Sequence, residues 1–222
     1  DVVQFCELDG LLLLALQRID FTRFFSTRYN EYISRKFQRK IAKYAIANQV
    51  HAVISYDTNS KILFNILKDK APNIKLIMDN AHPNRHFLYH SYHENWDCVG
   101  DFKRTFEACG YLTDEKGSEK FGDEAKLADF HIVASSYSLK ALVYDNIPLE
   151  NIYRIPYGVD KNKFLVPKRV YDGKHLNVLF VGEVNQRKGI KQVLEAAKHI
   201  NSEDVVFNIV GSGREYCADL YE

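Results

Sequence analysis

The stretch from Leu176 to Ile200 constrains the fold more than any other part of the chain. It opens on an apolar run, Val178 to Val181, that reads as a buried strand and turns at Gly182. A short polar loop leads to a basic pair, Arg187 and Lys188. Gly189 then opens an amphipathic helix with Ile190, Val193, Leu194, Ala197 and Ile200 along one face. A second apolar run, Val205 to Val210, follows and ends in Gly211-Ser212-Gly213. Strand, helix and strand in so few residues make a βαβ unit, whose strands run parallel and whose crossover is almost always right-handed.

In such sheets ligands bind at the carboxyl ends of the strands, where loops meet helix N-termini. The unpaired N–H groups and the dipole at a helix start favour an anion. Arg187 and Lys188 add two positive charges to the same turn. A guanidinium grips phosphate oxygens as a fork, and an ammonium acts as a point charge. The pattern predicts a phosphate or diphosphate site. The competing reading is a solvated Arg-Lys pair at a helix start.

A length of 222 residues fits one large domain or two modest ones. The net charge of +1 argues against a dedicated nucleic-acid binder. Cys6, Cys98, Cys109 and Cys217 follow neither metal-type nor disulfide-framework spacing and read as reduced thiols of a cytosolic chain. The longest apolar run, Leu11 to Leu16, is too short to span a bilayer. The chain opens on Asp1, and a last helix is expected to begin shortly before Glu222. An open βαβ unit needs more strands to bury both faces of its sheet. The chain is therefore expected to be an interior piece of a longer protein.

The first half repeats the same grammar. Asp1 to Cys6 suits a short strand, and the Leu run after Gly10 suits a helix or a buried connection. Residues 28–48 form a strongly helical stretch, with Tyr29, Ile33, Phe37, Ile41, Tyr44 and Ala45 on one face. Arg35, Lys36, Arg39, Lys40 and Lys43 crowd the rest. Such a helix packs on a sheet with its basic face in solvent, or lies on an anionic membrane surface. Val50 to Tyr56 is a strand, Asp57 to Ser60 a turn and helix cap, Lys61 to Lys70 a helix, and Ile74 to Met78 the next strand.

His82, His86 and His90 are spaced four apart, but Pro83 separates the first from any helix carrying the others. That interruption disfavours a shared metal and favours a polar loop over a cleft. Trp96 to Glu124 lacks clear periodicity and reads as a variable loop followed by a helix start. Order returns with a strand at Phe130 to Ala134, a helix at Tyr137 to Tyr144 and a strand at Ile152 to Ile155. Pro156, Gly158, Pro167 and Gly173 among charged residues mark a linker. The expected division is a first domain over residues 1–160, a linker over 161–174 and a second domain over 175–222.

The run ADFHIVASSYSLKAL, then NIPLENIYRIPYGVDKNKF, then VLFVGEVNQRKGIKQVLEAAKHI, then FNIVGSG resembles the retaining GT-B glycosyltransferases of glycosyltransferase family four. Four family elements occur in family order and spacing between Leu127 and Gly213, and the upstream IMDNAHPN resembles the family's acceptor-side strand ending in a histidine. The resemblance implies an α/β GT-B architecture of two Rossmann-like doubly wound domains, the first lacking its start and the second ending after its first βαβ unit. It implies a nucleotide-diphosphate sugar as donor substrate, no further cofactor, no catalytic metal, and a glycan or lipid-linked acceptor.

Residue by residue, Lys188 matches the family lysine that holds the donor diphosphate. The companion arginine's place is taken by Glu183, and Arg187 is the residue that would substitute for it. His82 resembles the histidine that reaches the donor sugar. Gly182 and Gly189 bracket the diphosphate loop, Gly211 to Gly213 resembles a loop on the nucleotide side, and Tyr157 and Gly158 stand at the hinge. The family's E-x7-E glutamates would fall beyond Glu222, so the 222-residue piece is expected to bind nucleotide weakly and to turn nothing over. A nicotinamide-dependent oxidoreductase would need G-x-G-x-x-G, which Gly182 to Arg187 does not supply. A non-catalytic GT-B relative that binds sugar nucleotides is the remaining alternative. The expected location is cytoplasmic, with peripheral contact at the inner face of a membrane through helix 28–48.

Overall fold

The computed structural model describes residues 7–20, 24–94, 96–108, 115–164, 173, 175–200, 202–213, 215 and 219. The strand expected at Asp1 to Cys6, most of the linker over 161–174 and the helix expected near Glu222 fall outside them. The chain divides into two compact units. The first comprises Asp1–Asn84 and Glu119–Pro156, the second Arg85–Ser118 and Tyr157–Glu222.

In chain order the elements are α1 (Glu7–Ile19), α2 (Phe24–Ala47), β1 (Ala52–Tyr56), α3 (Lys61–Lys70) and β2 (Lys75–Asn80). Next come α4 (Arg85–Glu94), a 3₁₀ segment (Trp96–Phe102), α5 (Lys103–Ala108) and α6 (Glu115–Ala125). They are followed by β3 (Phe130–Val133), α7 (Ser136–Tyr144), β4 (Ile152–Arg154), β5 (Leu176–Val181), α8 (Ile190–Ile200) and β6 (Val205–Val210). The described residues of the region Trp96 to Glu124, which lacks a sequence period, are thus largely helical. Its short pieces are broken at Gly100, where φ is 55°, and no single period runs through them.

The first unit carries a four-stranded parallel sheet in the order β1-β2-β3-β4. Among the described strands this order does not reverse. The core beneath it joins Leu63, Phe64 and Leu67 of α3 to Leu76 and Met78 of β2, Val133 of β3 and Leu142 of α7. Ala42 and Ala45 of α2 complete it, and their small side chains let that helix approach closely. The buried face of α2 therefore differs from the one its apolar residues suggest. Gln38, Ala42 and Ala45 are inside, whereas Phe37 is exposed. The reason is polar: the Gln38 carboxamide oxygen accepts the N–H groups of Ile62 and Leu63 at 2.9 and 3.1 Å.

α1 is a helix, as one of the two expected forms of the Leu run, but Leu8, Leu11, Leu12 and Leu14 are exposed on it. No helix of the described residues is long and apolar enough to cross a membrane.

In the second unit β5 and β6 pair in parallel over their whole length, from Leu176 with Val205 to Val181 with Val210. This is the predicted βαβ unit. Val184 and Ile190 form its small buried cluster, packed by Phe102, Phe180, Leu194 and Ile209. The other face of the strand pair is bare, with Leu179 63% and Val181 70% exposed.

Candidate functional site

β5 ends at Gly182, whose N–H donates to the Val210 carbonyl at 3.0 Å, and Val184 N–H donates to the Ser212 carbonyl at 2.7 Å. These bonds draw the two glycine corners together. A Cβ on Gly211 would stand 1.7 Å from the Gly182 carbonyl oxygen, so only glycine fits there. Gly213 is buried with φ at 89°, a left-handed conformation that glycine adopts without strain.

The basic pair does not sit on the helix itself. Asn185 caps a 3₁₀ turn, Gln186–Lys188, by accepting the Lys188 N–H on its side-chain oxygen at 3.1 Å. Gly189 then closes that turn in the left-handed region (φ 79°), and α8 starts at Ile190. Asn185 shapes the candidate site and is passed over by the sequence reading, although an asparagine ahead of a polar turn is a readable cap signal. The N–H groups of Gln186, Lys188, Gly189, Ile190 and Lys191 are bonded within the chain, so side-chain charge, rather than open helix N–H groups, must supply most of the attraction for an anion.

The two cations differ. The Arg187 guanidinium lies 3.8 Å from the Glu183 carboxylate, so the acid in the companion arginine's place neutralises part of its charge. Lys188 is exposed and makes no ion pair among the described residues. Its Cγ passes 3.9 Å from where a Cβ on Gly182 would stand, which folds the lysine stem back over the carboxyl end of β5. That is the position from which a βαβ unit meets a ligand.

In the first unit His82 follows β2. Its imidazole is 73% exposed and its Nδ1 stands 4.0 Å from Asp57 Oδ2 at the end of β1, an ion pair only when the histidine is protonated. His82 lies before α4, whereas His86 and His90 share that helix with their Nε2 atoms 3.2 Å apart. Among the described residues no group of three or more His, Cys, Asp or Glu side chains is placed to hold a metal. Tyr157 and Gly158 are both exposed, and the boundary between the two units falls just before Tyr157.

The turn after β1 has the same βα geometry but a different occupant. Glu124 is buried and accepts the N–H groups of Ser60 and Lys61 on one oxygen, at 2.5 and 2.9 Å, and that of Thr58 on the other at 3.0 Å. Burial pushes its carboxyl above the ordinary value, against the pull of these three donors. With Gln38 on Ile62 and Leu63, the start of α3 is satisfied entirely by side chains from elsewhere in the fold. Next to β2, His131 is fully buried, and desolvation holds its imidazole at about 4. It is therefore neutral, and its Nδ1 lies 3.3 Å from the Asn80 amide nitrogen.

No protein-family model matches the chain, and no curated protein matches it. Among solved structures it is similar to the apo form of the lipopolysaccharide outer core galactosyltransferase WaaB, at 14% sequence identity and a TM-score of 0.55. The alignment covers 84% of this chain and 45% of that one, so the chain spans less than half the length of the structure it resembles. At this identity the likeness is one of fold: the chain shares the parallel α/β architecture of a glycosyltransferase.

Proposed function

We propose that the chain is part of a retaining glycosyltransferase of the GT-B type. It moves a sugar from a nucleotide-diphosphate sugar to a glycan or lipid-linked acceptor without a catalytic metal. The observation that carries this reading is the exposed Lys188, folded over the Gly182 corner of a βαβ unit in a chain whose fold resembles a galactosyltransferase. In this reading the lysine ammonium meets the donor diphosphate. Charge develops on the β-phosphate as the sugar becomes oxocarbenium-like, and a preplaced cation stabilises it. His82 meets the donor sugar, the acceptor attacks from the face the phosphate leaves, and the departing phosphate helps remove the acceptor proton. Excluding water protects the activated sugar from hydrolysis.

The test uses the full-length protein. Transfer from UDP-, GDP- and ADP-sugars is measured for the wild type and for Lys188→Ala, with NAD as a control ligand in thermal shift. Sugar transfer by the wild type that falls about 100-fold in the variant supports the reading. Transfer that survives the substitution intact refutes it. Nucleotide-sugar binding without transfer selects the second reading, a non-catalytic GT-B relative.

The proposed acceptor side is peripheral to an anionic membrane on its cytoplasmic face. Exposed Arg35, Lys36, Arg39, Lys40 and Lys43 on α2, beside the exposed leucines of α1, favour such a surface. Failure of vesicles containing an anionic lipid to retain the protein at low salt refutes this location.

A further inference from the structure

The turn that carries Arg187 and Lys188 is braced by a segment much earlier in the chain. Thr105, on α5, is fully buried. Its hydroxyl donates to the Phe102 carbonyl at 2.7 Å and accepts the Gln186 N–H at 2.9 Å. Both directions of that hydroxyl are thus committed. Gln186, nearly buried, passes the constraint on: its side-chain oxygen accepts the Lys191 N–H at 3.2 Å, and its amide donates to Gln192 Oε1 at 3.0 Å. The Lys191 ammonium donates back to the Cys98 carbonyl, and Phe102 packs on Val184 and Ile190. One stretch, Cys98 to Thr105, therefore fixes both flanks of the 3₁₀ turn.

We propose that Thr105 is a positioning residue for the donor diphosphate: through the Gln186 N–H it sets the turn that aims Lys188 over the end of β5. The proposal rests on Lys188 being the diphosphate ligand. Valine matches threonine in shape and removes only the oxygen. It leaves a buried N–H unsatisfied, which the turn relieves by moving toward water and taking the lysine with it. Serine keeps the oxygen and restores the bond.

The experiment measures, by calorimetry on the full-length protein, the affinity for UDP, GDP, ADP, their parent nucleosides and inorganic pyrophosphate. The proteins compared are the wild type, Thr105→Val, Thr105→Ser and Lys188→Ala. The expected result is that Thr105→Val weakens the diphosphate ligands about tenfold and leaves the nucleosides unchanged, while Thr105→Ser stays within about threefold of wild type. A general structural defect would lower both ligand classes together and would overturn the proposal. Lys188→Ala without effect, or a wild type that binds none of the diphosphates, removes the site itself. A strong Lys188→Ala effect beside a silent Thr105→Val removes only the positioning role. Should Thr105→Val not fold, amide exchange in the wild type decides: a Gln186 N–H as protected as those of β5 supports the brace, and a fast-exchanging one overturns it.

Discussion

The turn between β1 and α3 and the turn between β5 and α8 are built alike and finished differently. Each follows a parallel strand, and each leads into a helix of 10 or 11 residues. At the first, a buried carboxylate and a buried carboxamide from other elements occupy the N–H groups of Thr58, Ser60, Lys61, Ile62 and Leu63. At the second, short-range bonds from Asn185 and Gln186, with one long-range bond in which the Thr105 hydroxyl accepts the Gln186 N–H, satisfy the backbone, and a lysine is left exposed above the strand end. The electrostatic preference of a βα turn is thus spent on stability in one unit, while the other keeps a cation available for something outside the chain. A βα turn predicts an anion; only the surrounding side chains decide whether that anion is the protein's own.

Four measurements would break or sharpen the contrast. The largest effect is expected from Gly211→Ala, because the new methyl would overlap the Gly182 carbonyl oxygen; unfolding by urea should show a loss of about 4 kcal/mol. A loss under about 1 kcal/mol would mean that the two glycine corners are not locked together. The next largest is a pH effect on the first unit. His131 titrates near 4 when folded and near 6.5 when unfolded, so its neutral form contributes stability that is complete above 6.5 and is lost as pH falls toward 4. The loss amounts to roughly 3 kcal/mol. Glu124, with its folded carboxyl raised, has the opposite slope. The comparison of wild type with His131→Leu therefore isolates the histidine, and the variant should give the flatter curve between those values.

Glu124→Ala should cost about 2 kcal/mol in denaturant unfolding, since it leaves three N–H groups, that of the buried Ser60 among them, without their acceptor. A neutral outcome would show that the first turn is not sealed by this side chain. The smallest effect is expected from Arg187→Ala. Its charge is already offset by Glu183, so nucleotide-diphosphate affinity should change by no more than about threefold, far less than for Lys188→Ala. Equal effects of the two substitutions would show that the Glu183 pairing does not distinguish them.

Much of the second unit is legible in the sequence because its signals are local. Val178 to Val181, the helical period from Ile190 and Val205 to Val210 each announce an element within a few residues. The strands β1 to β4 and the helices α3 and α7 are legible for the same reason, within a residue or two of their ends, whereas α2 begins four residues before Arg28 and α6 lies where no period is legible. What escapes is long-range and polar. Glu124 finds its partners 63 to 66 residues away and Gln38 some 25 away, and neither carries a local signature. Gln38 also explains why the face of α2 is misjudged: apolarity points to Phe37, while the neighbouring helix start requires a carboxamide. At the candidate site, Lys188 and its glycines can be read from spacing, whereas the neutralising acid at Glu183 and the bond from Thr105 need coordinates.

The second unit is discontinuous in sequence, since Arg85–Ser118 belongs with Tyr157–Glu222. A ribosome making this chain releases Thr105 long before Gln186, 81 positions further on, and the first unit's β3, α7 and β4 are made in the interval. The basic turn can therefore mature only after an earlier passage of polypeptide has waited for it, a non-local closure of the kind that slows folding. A gene cut at Pro156 would separate the lysine from its brace. Residues 157–222 expressed by themselves are expected to yield strands β5 and β6 without the organised loop that joins them to α8.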